Sequence, residues 1–129
     1  MARILVIEDE ADLHTMLRVL LEREGHAVEE AGDGAEGLAS LRQGEAFDLV
    51  ITDVLIPEED GIAVIKELPS LQPNARSLAI SGGGTSLPAN WSLKIMKMFG
   101  VDATLHKPFD HGELIRVVDD LLAQPKAAD

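Results

Sequence analysis

Short runs of apolar, often β-branched residues alternate along the chain with longer stretches in which apolar residues recur every three or four positions. Residues 3–7 form the first run, and Leu13, Met16, Leu17, Leu20 and Leu21 then fall on one helical face that Gly25 ends. Residues 27–31 predict a weaker strand, after which Asp33-Gly34-Ala35-Glu36 has the spacing of a capping box opening a helix through Leu38 and Leu41. The run Leu49-Val50-Ile51 ends in Thr52-Asp53, and Ile62, Val64, Ile65 and Leu68 predict a helix stopped near Pro69 and Pro73. Residues 77–80 predict a fourth strand. Beyond a glycine-rich loop, Trp91, Ile95, Met98 and Phe99 line up on a helix that Gly100 terminates. A fifth strand at 103–105 precedes Asp110-His111-Gly112-Glu113, again with capping-box spacing, and a last helix with a buried stripe of Leu114, Val117, Val118, Leu121 and Leu122.

Five β-α pairs in strict alternation predict a doubly wound α/β domain, a parallel sheet with helices on both faces, because right-handed crossovers place them there. With 129 residues, the chain has the length of one domain. We assign residues 1–123 to that domain and 124–129 to a flexible tail. The absence of cysteine removes thiol chemistry and Cys-based zinc sites and fits a reducing compartment, so the cytoplasm is the expected location. No apolar run is long enough for a membrane span or a signal-peptide core. A net charge of -12 disfavours phosphate backbones, and with no Tyr, one Trp and three Phe there is little to stack on bases. Neither nucleic acid nor membrane is therefore an expected partner.

In this architecture ligands sit beyond the carboxyl ends of the strands. The first strand leads into Glu8-Asp9-Glu10, the third ends in Asp53, the fourth in Ser81 and the fifth in Lys107-Pro108. Taken singly, each has an ordinary explanation: an acidic bias at a helix start, a turn serine, a surface lysine, a flexible Gly82-Gly83-Gly84 loop. Their fall at successive strand ends is what singles them out. Carboxylates at Glu8, Asp9 and Asp53 would repel one another unless a divalent cation or raised pKa values relieved them, and hard oxygen ligands point to Mg²⁺. A carboxylate can attack phosphorus to form an acyl phosphate when cations and donors meet the charge on the equatorial oxygens. Mg²⁺, the Lys107 ammonium, the Ser81 hydroxyl and backbone N–H groups near Val54 and Gly82 would divide that work.

On these residues the chain resembles, from about Arg3 to Ala123, the receiver domains of two-component response regulators. The family pattern is an acidic pair (Glu8, Asp9), an acceptor aspartate followed by Pro and then Asp-Gly (Asp53, Pro57, Asp60-Gly61), a Ser or Thr (Ser81) and Lys-Pro-Phe (Lys107-Pro108-Phe109). The resemblance implies a flavodoxin-like five-stranded sheet in the order 2-1-3-4-5 with five helices. It implies that Asp53 accepts a phosphoryl group from a histidine kinase or histidine phosphotransfer protein. It implies Mg²⁺ held by Asp9, Asp53 and the Leu55 carbonyl, with Glu8 acting through water, and a cis bond before Pro108. The signal would pass to a downstream target protein or along a relay, the chain acting as a stand-alone monomer or weak dimer. The family usually carries Tyr or Phe at the switch position held here by Thr104, so the inward swing of an aromatic ring cannot be the readout. The loop after Ser81 is also longer and richer in glycine than the family norm. His14, His26, His106 and His111 are read as ordinary surface or loop residues.

Three other functions compete with this one. A flavodoxin-like cofactor binder could cradle a phosphate on Gly82-Gly83-Gly84-Thr85-Ser86, but Glu8-Asp9-Glu10 repels anions where a flavin phosphate would sit. A phosphatase using Asp53 would want an acid two residues on, where Leu55 stands, so slow self-dephosphorylation is expected rather than enzymatic turnover. A pseudo-receiver that binds partners without phosphorylation is countered by Asp9, Asp53, Ser81 and Lys107 and favoured by Thr104.

Overall fold

The computed structural model describes residues 2–43, 45–53, 58–81, 98 and 100–123, with the side chains of residues 58–62 and 81 outside that description. Five parallel strands, β1 (Arg3–Ile7), β2 (Ala27–Ala31), β3 (Leu49–Asp53), β4 (Arg76–Ser81) and β5 (Ala103–His106), form one sheet in the order 2-1-3-4-5. The expected topology is present. Four helices are described: α1 (Ala11–Arg23), α2 (Gly34–Arg42), α3 (Glu58–Leu71) and a C-terminal helix, α4 (His111–Ala123). The helix expected through Trp91 lies outside the described residues except for Met98, which is helical and 82% exposed, contrary to its place in the expected apolar stripe. Gly100 beyond it has φ +90°, a conformation that favours glycine. The tail 124–129 also lies outside the description.

Alternation along each strand divides the core. Ile4, Val6, Leu49, Ile51, Leu78 and Ile80 point to one face, where Leu17 and Leu21 of α1 and Leu114, Val118 and Leu121 of α4 cover them. Leu5, Ile7 and Val50 point to the other, against Leu41 of α2 and Val64 and Leu68 of α3. Burial on both faces is why the central strands read as unbroken apolar runs.

The helix ends follow from local chemistry. The N–H of His26 donates to the Leu21 carbonyl and that of Gly25 to Glu22, a Schellman closure made open to the chain by Gly25 at φ +93°. At α4 the capping box is reciprocal: Glu113 N–H donates to Asp110 Oδ1 at 2.8 Å and Asp110 N–H to Glu113 Oε1 at 3.2 Å. At α2 the N–H of Glu36 donates to Asp33 Oδ1, while the Glu36 carboxylate reaches Gly32 instead of Asp33. As expected, α3 ends between Pro69 and Pro73, at Leu71, with Pro69 inside its last turn. The proline's missing N–H removes a single helical bond, and just beyond it the Gln72 N–H still donates to the Leu68 carbonyl at 2.7 Å.

Side chains clamp the amino edge of the sheet. Asp48 Oδ2 accepts from Arg3 N–H at 2.8 Å, and Asp102 Oδ2 from Ser77 N–H at 2.9 Å. Gln72, buried between α2 and α3, accepts from Phe47 N–H at 2.7 Å and donates to the carbonyls of Glu45 at 2.7 Å and Leu41 at 3.3 Å. No described helix is long and apolar enough to cross a membrane.

Candidate functional site

Register brings the first residues of the site together. β1 and β3 pair Ile7 with Thr52, so the next residue on each, Glu8 and Asp53, come level at the carboxyl edge on the same face. Glu8 continues the ladder by donating its N–H to the Ala31 carbonyl at 3.0 Å. Both carboxylates are nearly closed off from water, with 2% of Glu8 and 4% of Asp53 exposed. Lys107 follows β5, two strands from β3 and so about 10 Å away. Its long side chain crosses the end of β4 and places Nζ 2.9 Å from Asp53 Oδ2. The Lys107-Pro108 bond is cis.

Electrostatics in this corner follow from burial. Desolvation pushes the Glu8 carboxyl up to about 8; the neighbouring Asp53 carboxylate raises it further through hydrogen bond and charge, while the Glu10 N–H, donated at 3.0 Å, and the Lys107 charge pull it down. Glu8 is therefore a proton holder near neutrality. Burial by itself disfavours the Lys107 ammonium, but the hydrogen bond and charge of Asp53, with Glu8 and Glu10 beyond, outweigh it and leave its pKa above the ordinary lysine value.

The other expected site residues fall in three groups. Asp9 is exposed at the mouth, one residue beyond Glu8. Ser81 ends β4 and pairs in register with His106, so its backbone stands between the strands that carry Asp53 and Lys107. Val54, Leu55 and Gly82 lie outside the described residues. Thr104 sits partly buried in β5, opposite Ala79. Of the histidines set aside, His106 proves to be the last residue of β5 and is exposed. His14 is not an ordinary surface residue: its side chain is largely buried, with Nε2 3.8 Å from Glu30 Oε2. Only its helical spacing after Glu10 could have signalled that, since the edge strand it faces is weakly patterned.

Among the described residues no three acidic or histidine side chains are gathered closely enough to hold a metal ion by themselves. The donor set still fits a hard cation. Two buried carboxyl groups lie in hydrogen-bond contact, the Lys107 ammonium holds one of them, a third carboxylate waits at the mouth, and a second positive charge would let Glu8 and Asp53 ionise together.

A buried aspartate held by lysine, beside a second buried acid at the carboxyl edge of a 2-1-3-4-5 sheet, defines a class of doubly wound domain with an acidic pocket at its strand ends. The comparisons make the class specific: residues 4–119 match the response regulator receiver domain, and the chain belongs to that family. It is 33% identical to a transcriptional regulatory protein, a CpxR homolog from Haemophilus influenzae, over 95% of this chain and 51% of that protein. The chain thus spans about half the length of that relative. A CheY-like receiver domain protein from Methanospirillum hungatei superposes with a TM-score of 0.83 at 25% identity, covering 95% of this chain and 94% of that one. A response regulator from Burkholderia pseudomallei, solved with a phosphorylated aspartic acid, a calcium ion and citrate, gives a TM-score of 0.76 at 26% identity over 95% of this chain and 74% of that one.

Proposed function

We propose that Asp53 is the phosphoacceptor of a two-component relay. The observation that carries this reading is the 2.9 Å contact between Lys107 Nζ and Asp53 Oδ2 at the carboxyl edge of the sheet, with Glu8 buried beside it. In the step proposed, an Asp53 carboxylate oxygen attacks the phosphorus of a phosphohistidine on a partner kinase or phosphotransfer protein. The new O–P bond forms as the P–N bond breaks, and its electron pair returns to the imidazole nitrogen. Lys107, held in place before the reaction, exchanges the carboxylate for a phosphoryl oxygen, and the Ser81 hydroxyl and the N–H groups of Val54 and Gly82 take the others. Asp9, Asp53 and the Leu55 carbonyl, with Glu8 acting through a water, would hold Mg²⁺, which would supply the remaining neutralisation of charge. That the Burkholderia pseudomallei regulator was solved with a phosphorylated aspartic acid and a calcium ion supports a divalent cation in this chemistry.

Phosphorylation then biases the loop after Ser81 and the surface around Thr104, and a target protein reads the change in the cytoplasm, or the phosphoryl group passes onward. The chemistry is a single acyl phosphate per chain with slow hydrolysis, not enzymatic turnover. Intact-mass measurement after treatment with acetyl phosphate and Mg²⁺ tests the reading. A phosphate-sized gain that disappears in Asp53→Asn and on chelation is expected. No gain, repeated with a panel of phosphorylated histidine kinases, defeats it.

A further inference from the structure

The helices do not all begin in the same way. α2 and α4 start from Asp33 and Asp110, whose side chains accept an N–H of the first turn. α1 starts from Glu10, in extended backbone geometry, and the Glu10 side chain accepts no such bond. Glutamate is not among the residues that cap well, so α1 forgoes a stabilisation that its two counterparts have. What stands there instead is an uncommitted carboxylate. Glu10 is exposed and makes no ion pair or side-chain hydrogen bond among the described residues. Two observations nevertheless tie it to the phosphoacceptor. Its N–H donates to Glu8 Oε2 at 3.0 Å, which fixes residue 10 against the buried acid. Its charge is also felt at Lys107, whose ammonium it helps to hold, although Asp53 and Glu8 contribute more.

Asp53 is buried, and in phosphoryl transfer the attacking and leaving atoms lie roughly in line with phosphorus between them. The group that departs therefore leaves through the mouth, where Asp9 and Glu10 are exposed. In the reaction proposed above Asp9 would be a metal ligand, which leaves Glu10 to act on the departing group. Donors differ in the sign they present there. An acyl phosphate expels a carboxylate, so negative charge grows beside a carboxylate, whereas a phosphoramidate-type donor carries its phosphorus on a protonated nitrogen. We propose that Glu10 is a specificity residue of the transfer, favouring donors whose phosphorus is bonded to a cationic nitrogen over acyl phosphates. The inference rests on Asp53 as the phosphoacceptor. With phosphoramidate, the simplest donor of this kind, an Asp53 oxygen bonds to phosphorus as the P–N bond breaks, and the electron pair departs with ammonia. Glu10 enters no bond in this step and acts through space on the charge of the departing group.

The test compares rates of Asp53-dependent mass gain by the full chain from acetyl phosphate and from phosphoramidate, at saturating Mg²⁺ and low salt. E10Q is expected to raise the rate from acetyl phosphate and lower it from phosphoramidate, changing their ratio about tenfold, as loss of a unit charge several ångströms from each departing group implies. E10K extends the shift, and E10D keeps the native ratio because it keeps the charge. Added salt shrinks the difference between the native chain and E10Q. A merely structural part for Glu10 would move both rates together and would not answer to salt in this way. A ratio that E10Q leaves unchanged, or that E10D changes as much as E10Q, overturns the proposal while the native chain still gains phosphate. Failure of the native chain to gain phosphate on Asp53 from either donor overturns the phosphoacceptor reading as well, so the two failures are told apart.

Discussion

Glu8 is the residue whose environment differs most from what its type prefers. Its pKa stands at about 8 when folded against an ordinary 4.5, so between those values the folded chain holds a proton that the unfolded chain releases. Stability therefore falls as pH rises through that window and levels off above it. Urea unfolding in metal-free buffer on both sides of the window should show the fall, and Glu8→Gln should flatten it. Parallel profiles for the two proteins would refute this account. Lys107 has a different signature. Because its ammonium is already placed on Asp53 before reaction, Lys107→Met should slow phosphoryl uptake by about 10²-fold or more, measured as the rate of mass gain with acetyl phosphate. An unchanged rate would remove Lys107 from the chemistry.

At the level of elements, close packing under the site sets the next expectation. A Cβ on Gly37 would overlap the end of Ile7, whose Cγ1 lies 2.9 Å away, and Ile7 precedes Glu8. Gly37→Ala gains about 1 kcal/mol of helix propensity but overpacks that contact by roughly 1–3 kcal/mol, so a net loss of stability is expected by urea titration. A more stable variant would show that Ile7 moves aside freely. Gln72→Leu keeps the volume and leaves the Phe47 N–H and two carbonyls without their partner, at an expected cost of about 2–4 kcal/mol in the same assay. The central strands and both capping sequences were legible because two-sided burial writes continuous apolar runs and the caps write a three-residue spacing, while the edge strands β2 and β5 left only a weak pattern. The end of α3 at Leu71, between Pro69 and Pro73, was legible to within the two prolines but no closer, since the cost of proline depends on how many turns follow it. The role of Gln72 was hidden too, because an amide that satisfies three backbone groups far off in sequence leaves no local pattern. In the site, strand ends located Glu8, Asp53 and Lys107, yet which acid would be buried depended on register across β1 and β3.

Over the whole molecule, a charge of -12 acts against compactness. Screening with sodium chloride on the order of 0.5 M should raise the melting temperature by roughly 3–5 °C if it relieves about 1 kcal/mol, because exposed ion pairs lost to salt contribute little. A falling melting temperature in calorimetry would mean that the pairs around Arg3 and Arg18 matter more than the general repulsion. The two edges of the sheet, moreover, are held by different means. At the amino edge, uncharged amides of Arg3, Phe47 and Ser77 are tied to Asp48, Gln72 and Asp102, while at the opposite edge a lysine holds one buried carboxylate by charge beside a second, protonated acid. Deuterium should therefore enter the backbone unevenly. The Phe47 amide, though in a connecting segment, should exchange only when the entire chain opens, and amides near Asp53 should exchange through small openings, so the domain can rearrange where it meets phosphate with its foundation undisturbed.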